Sequence, residues 1–129
     1  MTPMKAAALW IGLNAILLIF LSVRVGQART RLKINLGDGG NPEMVKAIRT
    51  HGNYVEYAPA ALIGLAALAG LGAHFGVIHA LGATFLFARL SHLLGLGMGV
   101  WPMGRFVGTL LTMLTLLATA GILIFYAVV

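Results

Sequence analysis

Arg49, Asn53 and Glu56 follow one another at intervals of four and three residues in the stretch "RTHGNYVEYAP", Arg49 to Pro59. On a helix of 3.6 residues per turn, those intervals bring the three side chains within about 60° of one another. The result is a polar stripe. Its arginine can grip a carboxylate through two parallel hydrogen bonds, its amide can pair with another amide, and its glutamate can take an ammonium. That set suits a small zwitterion or dianion, such as a tripeptide with exposed ends. His51 points to the other side of the helix, and Tyr57 lies at the edge of the stripe. The plainer reading is a stripe that only links helices, with Arg49 and Glu56 in ion pairs and Asn53 bonded across an interface.

A long apolar run follows the stripe, and the whole chain shares that character. Of its 129 residues, 60% are hydrophobic and only 9% are charged, against roughly 25% charged in an ordinary soluble domain. Four apolar runs of about 20 residues each would use up most of the length. The chain therefore reads as an all-α membrane protein, a four-transmembrane-helix bundle in a single domain. Ionisable groups beside hydrocarbon are expensive unless paired, which puts the stripe in a protein-lined cavity or a subunit interface. There is no cysteine, so any thiol chemistry must come from a substrate. No spacing of histidines and acids makes a metal site.

The runs predict helices over about 4–25, 43–71, 77–99 and 105–129. Between the first two lies a connection from about Gly26 to Asn41, whose "GDGG" is a turn without the strand and helix of a nucleotide loop. Arg24, Arg29, Arg31, Lys33, Lys46 and Arg49, six of the nine basic residues, cluster around it. By the positive-inside rule this side is cytoplasmic and both termini are not. The net charge of +6 then meets anionic membrane lipids and not nucleic acid. His74 and His79, at the far-side turn, are structural or interfacial, whereas His92, one turn after Arg89, either lines the pocket or packs in the core. Gly64, Ala67, Gly70, Gly82, Gly95 and Gly99 are expected at close helix contacts. Thr109, Thr112, Thr115 and Thr119 are expected to bond back to their own helix or to face a neighbour.

"RTHGNYVEYAP", the preceding "NPEMVKAI" and, more weakly, "FLFARLSH" from Phe85 to His92 resemble the helix 2 signature and the helix 3 sequence of the MAPEG family. These are the membrane-associated proteins in eicosanoid and glutathione metabolism. The resemblance implies a homotrimer in a bacterial inner membrane, with glutathione as cosubstrate bound between neighbouring subunits near the cytoplasmic face. By position it makes Arg49, Asn53, Glu56 and Tyr57 glutathione contacts and gives His51 a polar contact role. Arg89 and His92 extend the binding set on helix 3. Arg24, at the cytoplasmic end of helix 1, resembles the arginine that stabilises the glutathione thiolate, and Arg105 lies near another basic position at the cytoplasmic turn between helices 3 and 4. Leukotriene synthase carries two tyrosines one turn apart on helix 3, where this chain has His92 and Leu96.

The function implied is a glutathione-dependent transferase or peroxidase acting on hydrophobic electrophiles that dissolve in the bilayer. The contrasting expectation is a noncatalytic trimeric membrane protein that keeps the stripe to bind a lipid or a small anion. Topology is testable without knowing which holds. An Asp38→Cys protein should react with an impermeant thiol reagent only from the cytoplasmic side. Labelling only from outside would invert the arrangement and cut the stripe off from cytosolic glutathione.

Overall fold

The structure, a computed structural model, describes residues 1–129. Its regular elements are all helical: α1 over Pro3–Leu32, α2 over Pro42–Gly70, α3 over Phe75–His92 and α4 over Gly104–Val128, with a π-helical turn over Leu93–Gly97 continuing α3. There are no strands. The helix α1, α3 with its π turn, and α4 are each long and apolar enough to cross a membrane. Helix α2 has 29 residues, about 43 Å, but Lys46, Arg49 and Glu56 occupy its first half.

Local chemistry sets the helix ends. The Thr2 hydroxyl accepts from the Lys5 N–H ahead of α1, and Asn41 Oδ1 accepts from the N–H groups of Glu43 and Met44 ahead of α2. Both helices place proline in the first turn, where the missing N–H is no loss. The first helix continues past Val25 to Leu32. Gln27, Ala28, Arg29 and Arg31 are good helix formers that need no hydrocarbon around them, and the two arginines suit the negative end of the helix dipole. Lys33 ends α1 in the left-handed region at φ 56°, and Arg29 donates to the carbonyls of Ile34 and Gly37 beyond it. An ion pair from Arg31 to Glu43 then joins the end of α1 to the start of α2.

Two apolar clusters stack along the bundle. Ala6, Ala7, Leu65, Leu68, Ile78 and Leu81 fill the end near the chain termini, and Leu17, Leu21, Tyr54, Ala58, Phe85 and Leu93 fill the half nearer the charged loop. Ile16, Ile63, Phe87, Leu117 and Ile124 face outward, which hydrocarbon tolerates as water would not.

Apolar side chains gain little by leaving lipid for one another, so close fit must hold the helices together. Glycine supplies it. A methyl group on Gly95 would come within 2.1 Å of the Arg105 nitrogen, one on Gly104 within 2.4 Å of the Ser91 carbonyl oxygen, and one on Gly108 within 2.5 Å of the Ala88 carbonyl oxygen. These three make the seam between α3 and α4. Gly82 admits the Trp10 ring of α1, and Gly64 admits the Thr119 methyl of α4. Two glycines expected at contacts are not there: Gly70 and Gly99 have open space where a Cβ would stand, and Gly99 is a turn residue at φ +68°. Ala67 is exposed. The four threonines of α4 all donate to the carbonyl four residues back.

The seam is testable. Gly108→Ala should cost about 1–3 kcal/mol, because its obstacle is backbone that no rotamer change relieves. Gly70→Ala should be neutral. Thermal unfolding in detergent measures both, and a parent-like melt for Gly108→Ala would show that close approach at that point is not what joins the helices.

Candidate functional site

A cavity of about 380 Å³ opens among α2, α3 and α4 at the end of the bundle that carries the charged loop. From α2 it receives Val45, Lys46, Arg49 and Asn53, from α3 and its π turn His92 and Leu96, and from α4 Arg105 and Thr109. The spacing of Lys46, Arg49 and Asn53 by three and four residues is the reason one face of α2 delivers all three. Arg105 is brought in by the seam, since Gly95 lies directly against its backbone. The wall thus carries three cations and no carboxylate.

Behind the wall lies Arg89, only 2% exposed. Its Nη2 donates to Asn53 Oδ1 at 2.6 Å and its Nη1 to Thr112 Oγ1 at 3.1 Å. The Tyr57 ring centre is 5.9 Å from its guanidinium carbon. Arg89 and Tyr57 therefore stand behind the cavity wall and do not line it. His92 lines the cavity while its Nδ1, like Arg89 Nε and Ser91 Oγ, has no hydrogen-bond partner.

The other residues singled out in the sequence are distributed differently. Glu56 is exposed and outside the lining, one turn further along α2 than Asn53. It makes no ion pair, since Arg31 to Glu43 is the chain's sole salt bridge. His51 faces α1, with its Nε2 3.1 Å from Ser22 Oγ. Arg24 also faces away: its Nη2 donates to the Gly97 carbonyl at 3.0 Å, and it lines a second hollow of about 300 Å³ with Gln27, Arg31, Glu43, Lys46 and Gly97. Only Lys46 borders both spaces. Within one chain, Arg24 and His51 are on one side of α2, and Arg49, Asn53 and Arg105 are on the other.

The family model for the MAPEG family matches residues 7–125. The chain belongs to the MAPEG family. Over 89 residues it is 38% identical to the inner membrane protein YecN of Escherichia coli strain K12, a match that spans 69% of this chain and 68% of that one. The protein of the same name from Escherichia coli O6:H1 matches to the same extent. No solved structure matches the chain significantly.

Lys46 and Thr109 of the cavity wall, and Thr112 behind it, lie outside the candidate set that the sequence offers. Lys46 was legible, one helical turn before Arg49 on the same face. Thr109 and Thr112 are expected from the sequence to bond back to their own helix or to face a neighbour, and they do both. Their hydroxyls bond to the Arg105 and Gly108 carbonyls, while Thr112 also accepts from Arg89 and Thr109 borders the cavity. Which face of α4 meets α3 decides this, and Gly104 and Gly108 fix that face. The buried Tyr54 was missed as well. Its hydroxyl donates to the Asn14 carbonyl at 2.8 Å, pinning the stripe helix to α1.

Proposed function

We propose that the protein is a membrane-bound glutathione-dependent transferase or peroxidase acting on hydrophobic electrophiles. The observation that carries this reading is the wall of Lys46, Arg49 and Arg105 without a carboxylate, beside a Glu56 that has no partner within the chain. Glutathione brings two carboxylates, one ammonium and a thiol. Arg49 and Lys46 take carboxylate, Glu56 takes the ammonium, and Asn53 bonds an amide of the peptide backbone. The volume is within the usual range for a small-molecule site, about 300–1,000 Å³.

Arg105 is the group of this chain that holds the sulfur as thiolate, because a cation beside a thiol favours its charged form. The thiol proton leaves to water, the sulfur pair forms a bond to the electrophilic carbon, and the leaving group departs with its own pair. With a hydroperoxide, the thiolate takes the terminal oxygen and an alcohol leaves. A second glutathione then closes the disulfide and releases water.

Glu56 and Arg49 are exposed in the single chain, and an unpaired carboxylate is costly beside hydrocarbon. A homotrimer with the ligand between neighbours relieves both. In that assembly Arg24 and His51 reach the ligand from the adjacent copy, since within one chain they face away from it. We place the protein in a bacterial inner membrane with both termini outside the cytoplasm, where cytosolic glutathione meets the charged end.

Purified protein should conjugate a chromogenic electrophile with glutathione. Arg49→Ala or Glu56→Ala should weaken glutathione binding by about 2 kcal/mol, near thirtyfold, as each removal strands a charged ligand group. Binding without conjugation would favour a noncatalytic membrane protein that holds a lipid or small anion. An Arg49→Ala protein that binds as the parent does would move the ligand out of this cavity.

A further inference from the structure

We infer that Arg89 is a positioning residue that fixes how the Asn53 amide faces the cavity, so that the wall offers hydrogen-bond donors and selects ligands that bring acceptors. The inference rests on the cavity being the binding site proposed above.

A guanidinium buried in a membrane-spanning helix ordinarily pairs with an opposite charge or with backbone carbonyls. Arg89 has no carboxylate: the chain's acids are Asp38, Glu43 and Glu56, and the one ion pair uses Glu43 with Arg31. Neutral oxygens hold it instead, at Asn53 Oδ1 and Thr112 Oγ1. The Thr112 proton is committed to the Gly108 carbonyl, so its hydroxyl oxygen can only accept from Arg89. A single line of hydrogen bonds thus ties α4 to α3 and α3 to α2.

Arginine has donors and no acceptor. Asn53 must therefore turn its carbonyl oxygen to Arg89, and its NH₂ is the end left for the cavity that Asn53 lines. A free asparagine could present either end. With the orientation fixed, Asn53 adds a donor to those of Lys46, Arg49 and Arg105, which outnumber the acceptor left on Thr109, whose proton goes to the Arg105 carbonyl. The ligands admitted carry carboxylates or amide carbonyls along this wall. Molecules that present only an ammonium at the height of Asn53 leave its NH₂ unpaired and are rejected.

The test is a double-substitution cycle read by glutathione binding to the detergent-solubilised protein. Arg89→Met removes the guanidinium fork, and Asn53→Ala removes the amide. Arg89→Met should weaken binding about tenfold with Asn53 present, and by less than about twofold when Asn53 is already alanine. Equal weakening in both backgrounds overturns the inference, because Arg89 would then act directly on the ligand. Arg89→Lys keeps the charge but not the planar fork, so it should bind like Arg89→Met. Recovery of parental affinity by lysine assigns the effect to charge alone and also overturns the inference. If the parent binds no glutathione, the functional reading falls instead, and the melting temperature of Asn53→Asp decides the role of Arg89. It should rise with Arg89 present, where a carboxylate meets a buried cation, and fall in the Arg89→Met background. The same shift in both backgrounds would show that the side chains do not meet and would overturn the inference.

Discussion

The bundle depends on the approach of α3 to α4 at Gly95, Gly104 and Gly108, where backbone meets backbone with no room for a methyl group. Lipid tails are as apolar as leucine, so this fit holds the pair where hydrophobic burial would hold a soluble one. The site inherits its geometry from it. The seam sets Arg105 opposite His92 and Leu96, and it brings Thr112 within bonding distance of Arg89. The π turn over Leu93–Gly97 follows directly on His92 at the same contact, in keeping with the tendency of such turns to occur at functional places in helices.

Charge is the second constraint. The chain has three acids against nine lysines and arginines, and its sole ion pair is spent on joining α1 to α2 outside the cavity. What remains around the cavity is cationic, except for Glu56. An arrangement that strands both signs on adjacent turns of one helix is poorly suited to an isolated chain in a membrane. It becomes sensible when a zwitterionic ligand or a neighbouring copy completes it.

Much of this was legible in the sequence. Helical spacing alone puts Arg49 and Asn53 on one face, as in the cavity wall, whereas Glu56, expected in the same stripe, falls outside the lining. The histidines at the far turn are structural as their positions suggested: His74 caps α3 through the Gly76 N–H, and His79 accepts from the Trp10 indole. Apolarity ends the first run at Val25, but α1 continues to Leu32, because Gln27 to Leu32 form helix without needing apolar surroundings. Gly70 and Gly99 were expected at contacts because composition cannot distinguish a glycine that packs from one that turns. The resemblance assigns the thiolate to Arg24 and gives Arg105 only a place near another basic position, whereas Arg105 is the one that lines the cavity beside Arg49. Only the packing of α1 against α2 shows that they open into different hollows.

The central claim is that this cavity holds glutathione as a thiolate beside Arg105. Ultraviolet absorbance of the thiolate, followed against pH on adding glutathione to the purified protein, tests it most directly. The account predicts a thiolate band at neutral pH, well below the usual thiol range near pH 8.5, which moves to higher pH in Arg105→Ala. Glutathione that binds without a thiolate band at neutral pH in the parent would contradict it.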